Sequence, residues 1–185
     1  MKGRQLRKLR RELIEDMALD RTASTKDVCI RLCDVVGTRL RRQIQLRFED
    51  MDANGLTGAW TRTADGVDII SVTTARSWVH RLHILLHELA HMICDHQSPQ
   101  LTKQESEQLL YPDIFPGMLT KLAERTEWSR EHEHEAEHVA GVLLRGLLKW
   151  ANEHQVDPFV PAGDDGATRV WYALGYTPGR GASGS

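Results

Sequence analysis

Hydrophobic residues recur with helical spacing in four stretches of the chain. The clearest covers residues 77–94, where leucine and isoleucine side chains fall three and four positions apart and neither glycine nor proline occurs. A second long pattern covers residues 129–150, where Ser129 is the expected N-cap, and a shorter one covers residues 2–20. The fourth begins after Ser24, which has an aspartate three residues later and therefore resembles a helix N-cap. We predict four helices.

Alternating hydrophobic and polar positions predict three short strands between the second and third helices. They cover residues 43–48, 58–63 and 67–72, and a turn containing Asp65 and Gly66 joins the last two. This order predicts an α+β fold in which a small antiparallel sheet packs against the helix at 77–94. After the last long helix the pattern is mixed, and only a short helix near Trp171 is expected.

Composition fits one globular domain. The chain has 185 residues, 41% of them hydrophobic, which is enough for one sizeable core. No apolar run has the roughly 20 residues of a membrane helix, and the basic start lacks the apolar segment of a signal peptide. We therefore expect a cytoplasmic protein. Cys29, Cys33 and Cys94 are expected to be reduced thiols, and the first two are expected in the core.

Charge is distributed unevenly along the chain. Residues 1–47 carry 13 Lys and Arg against 6 Asp and Glu, a balance of +7, and the remainder has a balance of −9. A basic helix can dock on an acidic partner or on nucleic acid. This one has no interleaved aromatic residues and matches no DNA-binding motif, so direct nucleic-acid binding is not expected. Docking to a partner protein is the preferred interpretation.

Two histidines four residues apart flank a glutamate in the third predicted helix. On one helical face, His87 and His91 can bind the same Zn²⁺ while Glu88 acts as general base on a water molecule. The alternative is that they are ordinary boundary histidines, which is the interpretation we give to His80 and His83. His83 also lies four residues before His87, but only the pair at 87 and 91 brackets a suitably placed glutamate.

A catalytic zinc ion needs a third protein ligand and one open position. The last long helix begins with alternating glutamates and histidines, of which Glu135 projects with the apolar stripe that contains Ala136 and Val139. Glu135 is therefore the expected third ligand, and His132 is its main rival or a partner of a ligand. The other residues of this stretch are interpreted as exposed: Glu131, Glu133, His134, Glu137 and His138.

These two motifs together resemble the ImmA/IrrE family of metallopeptidases. The family combines a His-Glu-x-x-His helix with a later Glu-Ala-x-x-Phe-Ala helix, and the likeness here covers about residues 25–150. It implies a zincin-like fold, makes His87, His91 and Glu135 the zinc ligands, and makes Glu88 the catalytic base. Val139 stands where the family has phenylalanine. The stretch between the motifs is long for the family, which predicts an insertion.

The resemblance also implies a domain arrangement. A basic helix at 1–23 precedes the metallopeptidase domain at 24–155, and an extension at 156–176 leads to a disordered Gly/Ser-rich tail at 177–185.

The function that the resemblance implies is zinc-dependent cleavage of a protein. Members of the family cleave helix-turn-helix repressors, and some act in toxin-antitoxin-like pairs, so the expected substrate is a transcriptional regulator. Zincins hold an extended peptide along a sheet edge, which also favours a protein substrate. Oligomeric state is left open. The candidates for a donor to the oxyanion are His134, His138 and Tyr111.

Two other functions are compatible with the same residues. A zincin-fold protein can hold a regulator without cutting it, acting as a binding module. A structural zinc site in a DNA-binding protein is a third interpretation, and it requires a fourth protein ligand such as His132.

Overall fold

A computed structural model describes residues 3–20, 23–51, 56–108 and 128–154. The four predicted helices and three predicted strands are confirmed to within about three residues at their bounds. One short additional helix, α4, follows the third long helix. The elements are α1 (Gly3–Met17), α2 (Thr25–Leu40), β1 (Ile44–Glu49), β2 (Gly58–Arg62), β3 (Asp68–Thr73), α3 (Trp78–Ile93), α4 (Lys103–Gln108) and α5 (Arg130–Glu153).

Two predicted helix caps are present. The hydroxyl of Ser24 accepts a hydrogen bond from the backbone N–H of Asp27, and the Asp27 carboxylate accepts one from the backbone N–H of Ser24 at 2.9 Å. The hydroxyl of Ser129 accepts from the backbone N–H of His132. Each cap satisfies N–H groups that the first helical turn leaves unpaired, which typically contributes about 1 kcal/mol. The starts of α2 and α5 are thus encoded locally.

The sheet is mixed, so the prediction of an antiparallel sheet is wrong for one of its two pairings. The strand order is β1-β3-β2, with β2 antiparallel to β3 and β1 parallel to β3. The predicted turn at Gly66 joins β2 to β3, and Gly66 has a φ of 88°, a conformation that favours glycine. Strand β2 runs opposite to both β1 and β3, so the insertion of β3 between the two earlier strands gives β1 a parallel neighbour instead of an antiparallel one. Alternating hydrophobicity carries no information about that direction.

One hydrophobic core joins the helices to one face of the sheet. Helix α3 lies between β3 and α5, α2 packs against α3 and β1, and α1 packs against α2 and α5. The apolar side of the basic helix α1 belongs to this core, with Leu6, Leu13 and Met17 buried. Cys29 and Cys33 are buried free thiols, as expected, and burial raises the pKa of Cys33 to about 12. The fold thus fixes α3 on both sides.

A buried charged network fastens the start of β3. Asp68 is completely buried, and Arg42 donates two hydrogen bonds to its carboxylate at 2.7 and 2.6 Å. The indole N–H of Trp60 donates a third at 2.9 Å. The Arg42 guanidinium also lies over the Trp60 ring. A buried carboxylate is tolerated here because each of its oxygens has a donor.

Several sequence-based expectations fall beyond this structural description. The helix near Trp171, the extension at 156–176, the tail at 177–185 and the candidate donor Tyr111 all lie outside the described residues. In the ranges that are described, no helix is both long and apolar enough to cross a membrane.

Candidate metal centre

The two histidines of the predicted motif converge on one point. His87 and His91 lie one turn apart on α3, and their Nε2 atoms are 3.1 Å apart. His91 is buried at 1% exposure, whereas His87 lies at the edge of the helix with a side chain 24% exposed. Tetrahedral Zn²⁺ with Zn–N bonds of about 2.0–2.1 Å separates two nitrogens by roughly 3.3 Å. The pair therefore has nearly the spacing of two ligands of one ion.

Glu133 of α5 supplies a third donor to the same point. Its carboxylate oxygens lie 3.4 Å from His87 Nε2 and 3.5 Å from His91 Nε2. The three side chains form a group whose donor atoms all lie within 4.8 Å of one another. Two imidazole nitrogens and a carboxylate are a common ligand set for catalytic zinc.

The expected third ligand, Glu135, lies elsewhere. Its Oε2 atom is 3.4 Å from His96 Nε2, and it forms a separate group of potential metal donors with His96 and Cys94. The structure therefore does not place Glu135 in one donor group with His87 and His91. Glu135 as a ligand of that ion stays a prediction.

Glu133, interpreted from the sequence as a solvated charge, has a side chain that is 45% exposed and also contacts both His87 and His91. Glu133 lies three residues before Ala136 and seven before Ala140, so it shares a stripe with two fully buried alanines. Glu135 follows the opposite edge of the same buried face. The periodicity of α5 therefore indicates Glu133 as well as Glu135, because both border its buried face.

His87 and His91 each have a partner for the second ring nitrogen. Glu137 Oε2 lies 3.4 Å from His87 Nδ1, and His96 Nδ1 lies 2.9 Å from His91 Nδ1. Such partners orient a ligating imidazole and fix which nitrogen carries the proton. His96, only 7% exposed, was missed by the sequence analysis. It follows the end of α3, where helical spacing no longer predicts which side chains converge.

The buried imidazoles are kept neutral. Burial, reinforced by the neighbouring histidines His87, His96 and His132, lowers the pKa of His91 to about 3. Burial likewise lowers the pKa of His96 below its ordinary value. Only a neutral imidazole has a free nitrogen lone pair for a metal ion. At neutral pH these rings are therefore in the form that binds metal.

Glu88 occupies a confined position beside the donors. Burial, together with the charge of Glu133, raises the pKa of Glu88 to about 8. Strand β2 approaches this side chain at Gly58, where an added Cβ would lie 2.9 Å from Glu88 Oε1 and would also clash with Ile84 Cγ2. A residue without a side chain is needed there for β2 to pass so close to Glu88.

The outer edge of β2 runs past the same position. Thr57 and Thr63 hydrogen-bond to β3, so the alternate residues Gly58, Trp60 and Arg62 direct their backbone groups away from it. Arg62 is paired with the segment at 99–101. Among the residues that the structure describes, the outward N–H and C=O groups of Gly58 and Trp60 have no hydrogen-bond partner. A short free sheet edge therefore lies beside Glu88.

The other candidate histidines lie around this centre. His132 stacks on the His96 ring, with ring centroids 4.2 Å apart, and does not belong to the donor group of His87 and His91. His83 Nε2 lies 3.5 Å from Glu137 Oε1. Three histidines are exposed, as expected for each of them: His80, His134 and His138. Within the described ranges, the group around His87 thus has three protein donors.

Comparison with protein families, with characterised proteins and with solved structures finds no match for this chain. The likeness to the ImmA/IrrE metallopeptidases therefore depends on the two motifs alone. Independently of any relative, the structure has a mixed α+β fold and clustered histidine, glutamate and cysteine side chains that can hold a metal ion.

Proposed function

We propose that this protein is a zinc-dependent endopeptidase whose centre consists of His87, His91, Glu133 and Glu88. The observation that carries the proposal is the convergence of three side chains from two helices that pack side by side: the His87 and His91 Nε2 atoms are 3.1 Å apart, and the two carboxylate oxygens of Glu133 lie 3.4 and 3.5 Å from them. Three protein donors leave a tetrahedral ion one position for water or substrate, which is the arrangement of catalytic rather than structural zinc.

The donor set favours zinc over hard cations. Two imidazoles and a carboxylate suit Zn²⁺, whereas Mg²⁺ and Ca²⁺ prefer oxygen ligands throughout. Neutral imidazoles bind the ion without first losing a proton. The partners at His87 Nδ1 and His91 Nδ1 then hold each ring in position. The side chains of this centre alone, without any contribution from a substrate, therefore suit a zinc ion.

A bound ion would polarise the carbonyl of the scissile peptide and make a water molecule acidic enough to attack it. Glu88 is the residue placed to accept the proton of that water and to deliver it to the nitrogen of the departing amine. In the metal-free protein the pKa of Glu88 is raised to about 8, and a bound cation would lower it, so that the carboxylate could accept a proton and release it in one cycle. Its confinement between α3 and β2 limits the directions from which water can reach it.

The free edge of β2 supports an extended peptide as substrate. The outward backbone groups of Gly58 and Trp60 can pair with a peptide strand in the way that sheets accept an added strand. That strand would pass beside Glu88. We therefore propose a protein substrate, and the resemblance to ImmA/IrrE proteins favours a transcriptional regulator.

The test compares wild-type protein with Glu88→Gln and Glu131→Gln. Each zinc-loaded protein is incubated with the regulator encoded by the neighbouring gene and with a peptide library derived from a whole proteome, and cleavage is read by mass spectrometry. We expect wild type and Glu131→Gln to cut, because Glu131 is an exposed carboxylate two residues from Glu133. Glu88→Gln should keep its zinc and lose at least 100-fold in rate.

Two results would contradict this proposal. Equal behaviour of wild type and Glu88→Gln, with a regulator bound but uncut, would show a binding module. Zinc held without exchangeable water, as measured by X-ray absorption, would show a structural site.

A further inference from the structure

A second set of metal-donor atoms lies beyond the end of α3. The Cys94 sulfur, a His96 ring nitrogen and a Glu135 carboxylate oxygen all lie within 4.8 Å of one another. His96 Nε2 and Glu135 Oε2 are 3.4 Å apart, close to the separation of two ligands on one ion. None of the three belongs to the group formed by His87, His91 and Glu133. In the proposed peptidase centre only His96 has a role, as the partner of His91 Nδ1, and Cys94 and Glu135 have none.

The backbone brings these residues together by an abrupt stop of the helix. Asp95 has a φ of 60°, a left-handed conformation that aspartate adopts more readily than most residues. The chain then folds back, and the N–H of His96 donates to the carbonyl of His91 at 3.0 Å. As a result Cys94 and His96 both face Glu135 on α5, and the His96 ring is buried.

We propose that Cys94, His96 and Glu135 form a second metal site, for a borderline-soft divalent cation such as Zn²⁺. A thiolate and an imidazole select against Mg²⁺ and Ca²⁺ and suit zinc or cobalt. On binding, the Cys94 thiol loses its proton to solvent and its sulfur becomes a ligand. The site goes beyond the proposed function, because it does not require that the protein cut anything.

The two sites are coupled through a pair of imidazoles. His91 Nδ1 and His96 Nδ1 lie 2.9 Å apart, which leaves room for one shared hydrogen. A neutral imidazole that binds a metal through Nε2 carries its hydrogen on Nδ1. Ions in both sites would therefore direct two N–H groups at each other. We expect the second site to bind its ion at least tenfold more weakly when the first is filled.

The test uses Co²⁺, because a cobalt ion bound by thiolate shows a sulfur-to-metal charge-transfer band in the near ultraviolet. The group of His87, His91 and Glu133 contains no sulfur and cannot produce it. Metal-free, reduced wild-type protein is titrated with Co²⁺ and is expected to develop the band. Cys94→Ser should abolish the band, and Glu133→Gln should keep it.

Cys33→Ala is the matched control, since Cys33 is a buried thiol in α2 outside the donor group. It should leave the band unchanged. Absence of the band from wild type, or its persistence in Cys94→Ser, would overturn the second site.

The coupling is tested by repeating the cobalt titration after one equivalent of Zn²⁺. An unchanged apparent affinity would overturn the coupling. Because none of these readouts is cleavage, they succeed or fail separately from the peptidase proposal.

Discussion

Two polar clusters lie inside this small domain, and their charges are arranged in opposite ways. Around Asp68, a buried carboxylate receives two hydrogen bonds from Arg42 and one from Trp60. Around His91, burial keeps the imidazoles of His91 and His96 neutral, and the carboxylates of Glu88 and Glu133 lie nearby. Within the described ranges, neither glutamate has a lysine or arginine partner. The first cluster is complete, whereas the second is short of positive charge.

This difference separates a network that the protein compensates by itself from a cluster that could hold a metal ion. Burial of an ionisable group is costly unless an opposite charge or enough donors compensate for it. The Asp68 cluster is compensated by the protein itself and holds β3 against α2 and β2. In the cluster at His91, burial instead keeps His91 and His96 neutral and raises the pKa of Glu88, and a bound cation would supply the compensating charge. The following predictions test whether the two clusters differ in this way.

The largest expected effect on stability comes from removing Arg42. Arg42→Ala leaves the fully buried Asp68 without its counter-charge and should lower the free energy of unfolding by about 3–5 kcal/mol. Urea denaturation measures this loss. The matched control is Arg39→Ala, which removes an exposed ion pair with Asp16 and should cost about 1 kcal/mol or less. Equal losses in the two variants would contradict the contrast between the clusters.

Zinc should stabilise the second cluster and leave the first unaffected. At a free zinc concentration 100 times the dissociation constant, the native state gains about 2.7 kcal/mol, which thermal unfolding detects as a raised Tm. In a Cys94→Ser background, which removes the proposed second site, Glu133→Gln should lose most of this gain. Glu131→Gln in the same background should keep it, because only Glu133 lies against both His87 and His91. If both variants respond to zinc like Cys94→Ser alone, Glu133 is not a ligand.

A smaller effect is expected from Glu88 in the metal-free protein. Its pKa is about 8 when folded, against an ordinary value of 4.5, so it favours folding when protonated. That contribution is complete below pH 4.5 and is lost as the pH rises to 8. Glu88→Gln stays neutral and should be more stable than wild type by about 1–3 kcal/mol at pH 8.

The measurement is chemical denaturation of the metal-free proteins at both ends of this pH range. Near pH 4.5 the two proteins should unfold at similar denaturant concentrations. A constant difference between them from pH 4.5 to 8 would show that Glu88 does not titrate in this window.

The amino-acid sequence by itself determined the elements and half of the centre. Two helix starts could be predicted from the sequence because Ser24 and Ser129 cap their helices through hydrogen bonds to residues three positions away. The proximity of His87 and His91 could be predicted because residues four apart share one face of any α-helix. These relations are local, so they do not depend on how the rest of the chain folds.

Only the tertiary structure decided which residues complete the centre. The parallel pairing of β1 follows from the insertion of β3 between two earlier strands, which periodicity does not encode. The choice between Glu133 and Glu135 depends on how α5 is rotated against α3, because both glutamates border its buried face. His96 joins the centre through the left-handed turn at Asp95. Contacts between distant segments depend on the packing of whole elements, whereas spacing within one helix is fixed by its backbone.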